Sequence, residues 1–272
     1  MIAWVLLGLG LLTLGGCGSG MMVGPDADPA YRDNYLARFA RVNLLAGPDG
    51  EVAGFCEQVP ERWEDLEGIT KAGSPEEDAK FGSLFRYPAL RSKSAEGERN
   101  SFTEWRAAAG GSSDAEWAIP TVEELRVLFT NADGEPISLS WQGDVLVAYV
   151  VKSMPSGSGS RTYALRFEYK VGLGLEVRAR VDDGASPEGV QREDYWDVAS
   201  DAVRRYFPAL GLLDGRTDPA EQWYRGDGSG WWSCSPFDGM GAMGASFGDS
   251  KINVDLGLRS FHFALRPFTR DK

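Results

Sequence analysis

The sequence predicts an α+β fold with two short helices, small antiparallel sheets and long loops. Three observations predict it. The 272 residues include 34 Gly and 14 Pro, a density of turn-forming residues that favours short elements. A hydrophobic content of 43%, with 9 Trp and 13 Phe, supplies one large core. The apolar period also changes along the chain, from a helical spacing before Phe129 to strict alternation after Val145.

Taken in order, residues 1–16 read as a lipoprotein signal peptide. Ile2 to Gly16 is an uncharged apolar run, shorter than a membrane-spanning helix and right for a signal-peptide core, although only the α-amino group supplies positive charge before it. The run ends in Leu14-Gly15-Gly16-Cys17, similar to the lipobox of bacterial lipoproteins, which makes Cys17 the expected lipidation site. Residues 17–28 read as a flexible tether. Residues 29–100 read as an N-terminal helix and an irregular extension: Tyr31, Tyr35, Phe39 and Val42 recur at helical spacing after Asp28-Pro29, and the stretch beyond Gly47-Pro48 carries only scattered anchors, Phe55, Val59 and Trp63.

Residues 101–272 form the main domain. Ser101 to Ala109 starts one short helix, and Thr121 to Phe129 a second, with Thr121 and Glu124 as a capping box and Val122, Leu125 and Leu128 as its buried stripe. Three strands follow, through Val145–Val151, Tyr163–Tyr169 and Leu175–Val181, joined as an antiparallel meander with "MPSGSGS" as a flexible loop and Glu176, Arg178 and Arg180 on a solvated face. Asp194 to Leu210 admits a helical start and a strand before Pro208, and periodicity alone does not decide between helix and strand there. The last fifty residues alternate in short strands.

Function is constrained first by charge. A net charge of -12 excludes nucleic acid, whose phosphates need a basic surface, and disfavours other polyanions. "GASFG" (Gly244 to Gly248) matches the nucleophile elbow of hydrolases, and the single histidine, His262, follows it. The elbow requires a helix after the serine, whereas alternating residues follow Ser246, so the stretch reads as a strand. There is no His/Cys cluster at metal-ligand spacing and no cofactor signature. Of the 3 Cys, lipidation of one leaves Cys56 and Cys234, an even pair in an oxidising compartment, and a disulfide between them is expected.

Several ordered motifs then carry a resemblance. "EWAIPTVEELRVLF" (Glu116 to Phe129), "VRRYFPALGLLDGR", "GWWSCSPFDG" and "MGASFGDSKINVDLGLRSFHFALRPF" together resemble the Fibrobacter succinogenes major paralogous domain over roughly residues 101 to 270. That family is similar to the formylglycine-generating-enzyme branch of C-type-lectin-like folds and occurs on bacterial surface lipoproteins and fimbrial tips. Related domains display residues diversified by retroelements. The oxidase motifs and the calcium-lectin signature of those relatives do not occur in this chain.

The resemblance implies a C-type-lectin-like domain over 101–272. It also implies a non-enzymatic, lipid-anchored protein at the outer membrane or cell surface, holding a protein or glycan ligand; a structural or tip component of a fimbria-like appendage is the alternative. The expected ligand face comprises Tyr224, Trp231, Ser233, Ser235, Phe237, Asp238, Ser246, Lys251, Asn253, Asp255, Ser260 and His262. Tyr and Trp give rigid contact area there, and Ser, Asn and Asp give adaptable hydrogen bonds.

Overall fold

The computed structural model describes residues 34–47, 52–56, 58–71, 73–86, 117–157, 159–197, 202–216, 221–237, 241–248, 250–258 and 260–269. The signal peptide, the tether with Cys17, Tyr31, the helix expected over 101–109 and Asp238 lie outside the described residues.

The chain enters as an extended segment. Tyr35–Arg38 make a single 3-10 turn capped by the Asn34 side chain, and the chain then runs out to strand β1 (Leu44–Ala46). This corrects the amphipathic helix expected there. Arg205 Nε donates to Phe39 O at 2.9 Å, Arg205 Nη2 to Ala37 O at 3.2 Å and Arg266 Nη1 to Ala40 O at 2.9 Å. Buried guanidinium groups thus take the carbonyls that a helix would pair with its own N–H groups. The helical spacing of Tyr35 and Phe39 reflects burial of both on an irregular segment.

Regular structure also replaces the irregular extension. Strand β2 (Val52–Phe55) pairs antiparallel with β1, a 3-10 turn covers Trp63–Leu66, helix α1 (Pro75–Phe81) follows, and strand β3 (Leu84–Arg86) closes the stretch. Helix α1 has Ser74 accepting from Glu77 N, Pro75 in its first turn and three acidic residues after it. Each of these suits the positive end of the helix dipole.

Strand β4 (Trp117–Ala118) leads into helix α2 (Val122–Phe129), where the expected capping box is formed in both directions between Thr121 and Glu124. Strands β5 (Ile137–Ser138) and β6 (Ser140–Gln142) are short. The meander is as expected: β7 (Val145–Ser156), β8 (Gly159–Lys170) and β9 (Gly174–Val181) pair antiparallel in turn. The flexible loop does not appear, because β7 and β8 continue pairing to Ser156 and Gly159. The face read as solvated is also different. Glu176 is buried and bonded to Arg178, with Arg204 Nε at 3.3 Å, so opposite charges on adjoining strands cover one another.

Helix α3 (Glu193–Asp197) and strand β10 (Val203–Pro208) follow, so the stretch that periodicity left open carries both. The C-terminal strands are β11 (Leu212–Asp214), β12 (Glu221–Trp223), β13 (Ser229–Phe237), β14 (Gly241–Phe247), β15 (Lys251–Leu258), β16 (Phe261–Ala264) and β17 (Phe268–Thr269).

These strands build a five-stranded sheet, β10-β9-β8-β7-β6, and an eight-stranded sheet, β12-β11-β16-β13-β14-β15-β5 with β3 also on β16; β1-β2 and β17-β4 are separate two-stranded pairs. Among the described residues strands account for about half, in several sheets with three short helices, and this overturns the α+β, C-type-lectin-like fold class. Among the described residues, the segment from 34 to 46 carries a 3-10 turn and a strand in place of the expected helix, and the stretch beyond it adds further strands.

The eight-stranded sheet carries a core on each face, although parts of β13 and β15 remain at the surface. One face, with Trp231, Ala245, Phe247, Ile252 and Ala264, shares a core with α2 and the five-stranded sheet. The other, with Trp232, Ala242 and Phe263, packs against Ala40, Val42, Leu44, Phe55 and Phe85 from the entry segment and its hairpin.

Candidate functional site

Register sorts the expected ligand face into three groups. Trp231 is core: its ring stacks on Phe129 and Phe247, with centroids at 6.1 and 5.3 Å, and meets Phe207 edge-on at 5.0 Å. Ser233 is buried, donating to Met243 O at 2.6 Å. Ser235 Oγ accepts from Val122 N at 2.9 Å and so satisfies one orphan donor at the start of α2. These three hold the fold and present nothing to a ligand.

The second group is at the surface without convergence. Ser246 pairs with Gly230 and Asn253, and Asn253 Nδ2 donates to Asp255 Oδ2 at 3.2 Å. Lys251 is exposed at the start of β15, and Phe237 is exposed at the end of β13. Ser260 carries a backbone contact, its carbonyl accepting from Gly215 N at 2.8 Å. His262 Nδ1 lies 3.4 Å from Leu213 O, and alternation along β16 puts His262 on the face opposite Phe261 and Phe263.

Ser246 shares a face with Asn253 and Gly230, hence with Trp232 and Phe263, so Ser246 and His262 point to opposite sides of the sheet. A strand, β15, follows Ser246 after a short turn, which is the wrong context for an elbow.

The structure does not bridge the two cysteines: Cys56 lies in the second core and Cys234 packs at its margin. Burial pushes the Cys56 thiol up to about 11, against the opposing influence of nearby Arg266, so it is protonated at neutral pH and acts as a small apolar packing group. Lys152, buried on β7, is pushed down to about 7 by burial, but its Nζ donates to Leu128 O at 3.4 Å and to Thr130 O, where it neutralises the end of α2. Among the described residues no three His, Cys, Asp or Glu side chains come together in a way that would hold a metal ion.

The third group is Tyr224 and the neighbours that sequence reading missed. Tyr224 has φ of 58°, the only positive value among the described non-glycine residues, and its side chain is 62% exposed. A left-handed Tyr costs about 1–2 kcal/mol relative to ordinary backbone, and glycine or asparagine is the usual occupant.

The surroundings impose this conformation. The Tyr224 carbonyl accepts from Asp227 N at 2.7 Å, Gly226 N donates to Ala209 O at 2.8 Å, and Gly172 N donates to Gly226 O at 2.7 Å. Arg225 is buried, with Nε on Thr70 O at 2.9 Å and Nη2 on Glu77 Oε2 at 2.7 Å. Gly211 lets the opposing backbone close in, since a Cβ there would stand 2.3 Å from Trp223 O. The turn is pinned from four directions while its aromatic side chain projects into solvent.

Beside it lies a row of rings. Trp223 meets Tyr224 edge-on at 6.5 Å and Phe261 at 6.2 Å. Phe261 continues to Phe263 at 6.1 Å and Phe263 to Trp232 at 4.5 Å, so an aromatic row runs from the surface to the second core. Arg216 stands over Trp223 and Phe261, at 5.9 and 5.5 Å from their centroids. Its Nε bonds both Asp214 oxygens at 2.9 Å, which holds the Asp214 carboxyl below its usual range. The sequence signal for this row is the pair Trp223-Tyr224 entering a turn in which Gly226 takes one left-handed position, at φ 81°, while Tyr224 takes the other.

The row presents one open ring, Tyr224, next to the half-buried Trp223 and Phe261, which lie under Arg216 with Asp214 buried beside it. In comparison with known proteins, a family model described as a domain of unknown function (DUF8237) matches residues 77–268. No curated protein and no solved structure matches the chain.

Proposed function

We proceed from the fact that the chain belongs to the DUF8237 family, described as a domain of unknown function, and propose that it is a non-enzymatic, lipid-anchored binding protein of the bacterial cell envelope. Its ligand face is the Trp223, Tyr224 and Phe261 shelf. The anchor rests on the signal-peptide pattern and on Leu14-Gly15-Gly16-Cys17.

The observation that carries the binding site is Tyr224: an exposed aromatic in a conformation that an L-residue resists, on a turn fixed by four separate contacts. An exposed ring contributes little to burial, so strain spent on displaying it points to recognition. Rigid presentation also lowers the ordering cost of binding.

The test is thermodynamic and needs no ligand. Asparagine accepts the left-handed region, so Tyr224→Asn is expected to leave unfolding free energy within about 0.5 kcal/mol of wild type or to raise it by about 1 kcal/mol. A loss above about 1 kcal/mol in urea denaturation makes Tyr224 a packing residue and removes the site. For the anchor, mass spectrometry of the native protein should find an acylated Cys17 at the N-terminus; a product retaining Met1 refutes it.

A further inference from the structure

We infer that the crevice lined by Arg41, Asn43, Lys80 and Arg266, between the entry segment and the end of α1, binds a small oxyanion that carries a proton of its own, of the bicarbonate or hydrogen phosphate kind. The site shares no residue with the Tyr224 turn, and the two stand or fall separately.

The first argument is a charge without a counter-charge. Arg266 is 1% exposed, with its guanidinium 4.6 Å from the centroid of the Phe207 ring. Its Nη1 donates to Ala40 O at 2.9 Å and its Nη2 to Tyr206 O at 2.7 Å, and among the described residues no carboxylate pairs with it. Burial pushes it down to about 9, against the influence of Cys56 and with that of Arg205, so at neutral pH it remains a cation. A buried cation that meets only carbonyl dipoles is costly. The crevice adds to the imbalance, because Arg41 and Lys80 line it and its described lining holds no Asp or Glu. Glu61 answers Arg41 at 2.8 Å from outside. In a chain with a net charge of -12, this is a local reversal of sign.

The second argument is a pair of buried polar atoms that lack partners: Arg266 Nε has no acceptor and Asn43 Oδ1 has no donor. Asn43 is 1% exposed, and its orientation is fixed because Nδ2 donates to Phe81 O at 2.9 Å. Guanidinium nitrogen only donates and carboxamide oxygen only accepts, so one occupant satisfies both atoms only if it can do each. Bicarbonate and hydrogen phosphate can, with anionic oxygens for Nε and a hydroxyl for Asn43. Chloride, nitrate and sulfate have no proton to give, and water leaves the charge unbalanced.

Space sets the third limit. The gaps between the lining atoms total about 150 Å³ and are too narrow as they stand to seat a water, so entry requires side chains at the mouth to swing aside. Arg41 and Lys80 are held only at the surface. Arg41 Nη2 bonds a Glu61 side chain that is 70% exposed, and Lys80 Nζ donates to Glu67 O at 3.1 Å in an exposed contact. Surface contacts of this kind are weak. A space of that order takes an ion of a few heavy atoms and excludes its organic esters.

The experiment measures the thermal midpoint of the full chain in bicarbonate, phosphate, nitrate, sulfate and chloride at equal ionic strength and one mildly alkaline pH. Bicarbonate or phosphate is expected to raise the midpoint saturably, by about 2–4 °C at millimolar concentration, and the one that does so names the ion. The rise should be at least halved in Lys80→Met and in Arg41→Met. It should persist in Lys71→Met, which removes an equal charge from a side chain 86% exposed outside the crevice. No rise, an equal rise in nitrate or sulfate, or a rise undiminished in both mouth variants overturns the inference. Midpoints of the variants in chloride should match wild type. If they do not, a crystal structure grown in the stabilising anion decides: an ion within hydrogen-bond reach of Arg266 Nε and Asn43 Oδ1 supports the site, and an ion elsewhere, or none, overturns it.

Discussion

At the scale of single residues, position in the register decides what each side chain is worth. Phe247 sits between Trp231 and Tyr169, with ring centroids at 5.3 Å from each, and Phe247→Ala is expected to cost about 3–5 kcal/mol in urea unfolding through the cavity it opens. One position earlier, Ser246 is half-buried on the other face, and Ser246→Ala is expected to stay within about 0.5 kcal/mol of wild type. A fluorophosphonate probe should leave Ser246 unlabelled. Gly257 carries the opposite liability: a Cβ there would stand 2.5 Å from the Trp232 ring and 2.8 Å from the Phe263 ring, so Gly257→Ala should destabilise by about 1–3 kcal/mol through overpacking. Alternation in the sequence was enough to place Phe247, Ile252 and Phe263 inside. It was not enough to place Trp231 or Ser233, because an alternating strand has a definite second face only if one face meets water, and around Trp231 and Trp232 this sheet has a core on each side.

At the scale of elements, what could be read in advance was what carries its own local chemistry. The capping box of α2 is formed as its residues imply, and Thr121→Ala should cost about 1 kcal/mol in the same assay. The far end of that helix depends on tertiary structure, because Lys152 reaches it from β7. Its unfolded form titrates near 10.5 and its folded form near 7, so between those values the unfolded chain holds the extra proton and stability rises with pH. Comparing wild type with Lys152→Met from pH 7 to 10 should show that rise in the wild type and its loss in the variant. Helix α1 was legible and was missed: Ser74, Pro75 and three acidic residues announce its start, but seven residues are too few to show a period. Strand β1 was not legible, since the side chains that hold the segment leading to it, Arg205 and Arg266, lie far along the chain.

At the scale of the molecule, the family's matched span begins at residue 77, whereas the core of the described residues already includes Tyr35, Leu36 and Phe39. A fragment of residues 77–272 lacks Ala40, Val42, Leu44 and Phe55 of the second core and the carbonyls that accept from Arg205 and Arg266. Arg205 would keep Arg204 O and Arg266 only Tyr206 O, and two under-bonded buried guanidinium groups beside an uncovered core are expected to cost more than a fold of this size retains. We expect that fragment to bind a hydrophobic dye and to be digested rapidly by protease, while a chain starting at residue 30 stays compact. The fold class was misread for a related reason. The meander and the C-terminal strands were visible in their alternation, but the strands before residue 101 are three or four residues long and are specified by distant partners. The same entry segment has a mechanical meaning. Asn34 Nδ2 bonds Ala179 O at 2.8 Å on β9, and within a few residues the chain is gripped by β10 and by Arg266. Tension arriving from the N-terminal side is therefore delivered to the middle of the protein, across both sheets at once, and meets the load-sharing of a rivet rather than the peeling of an edge.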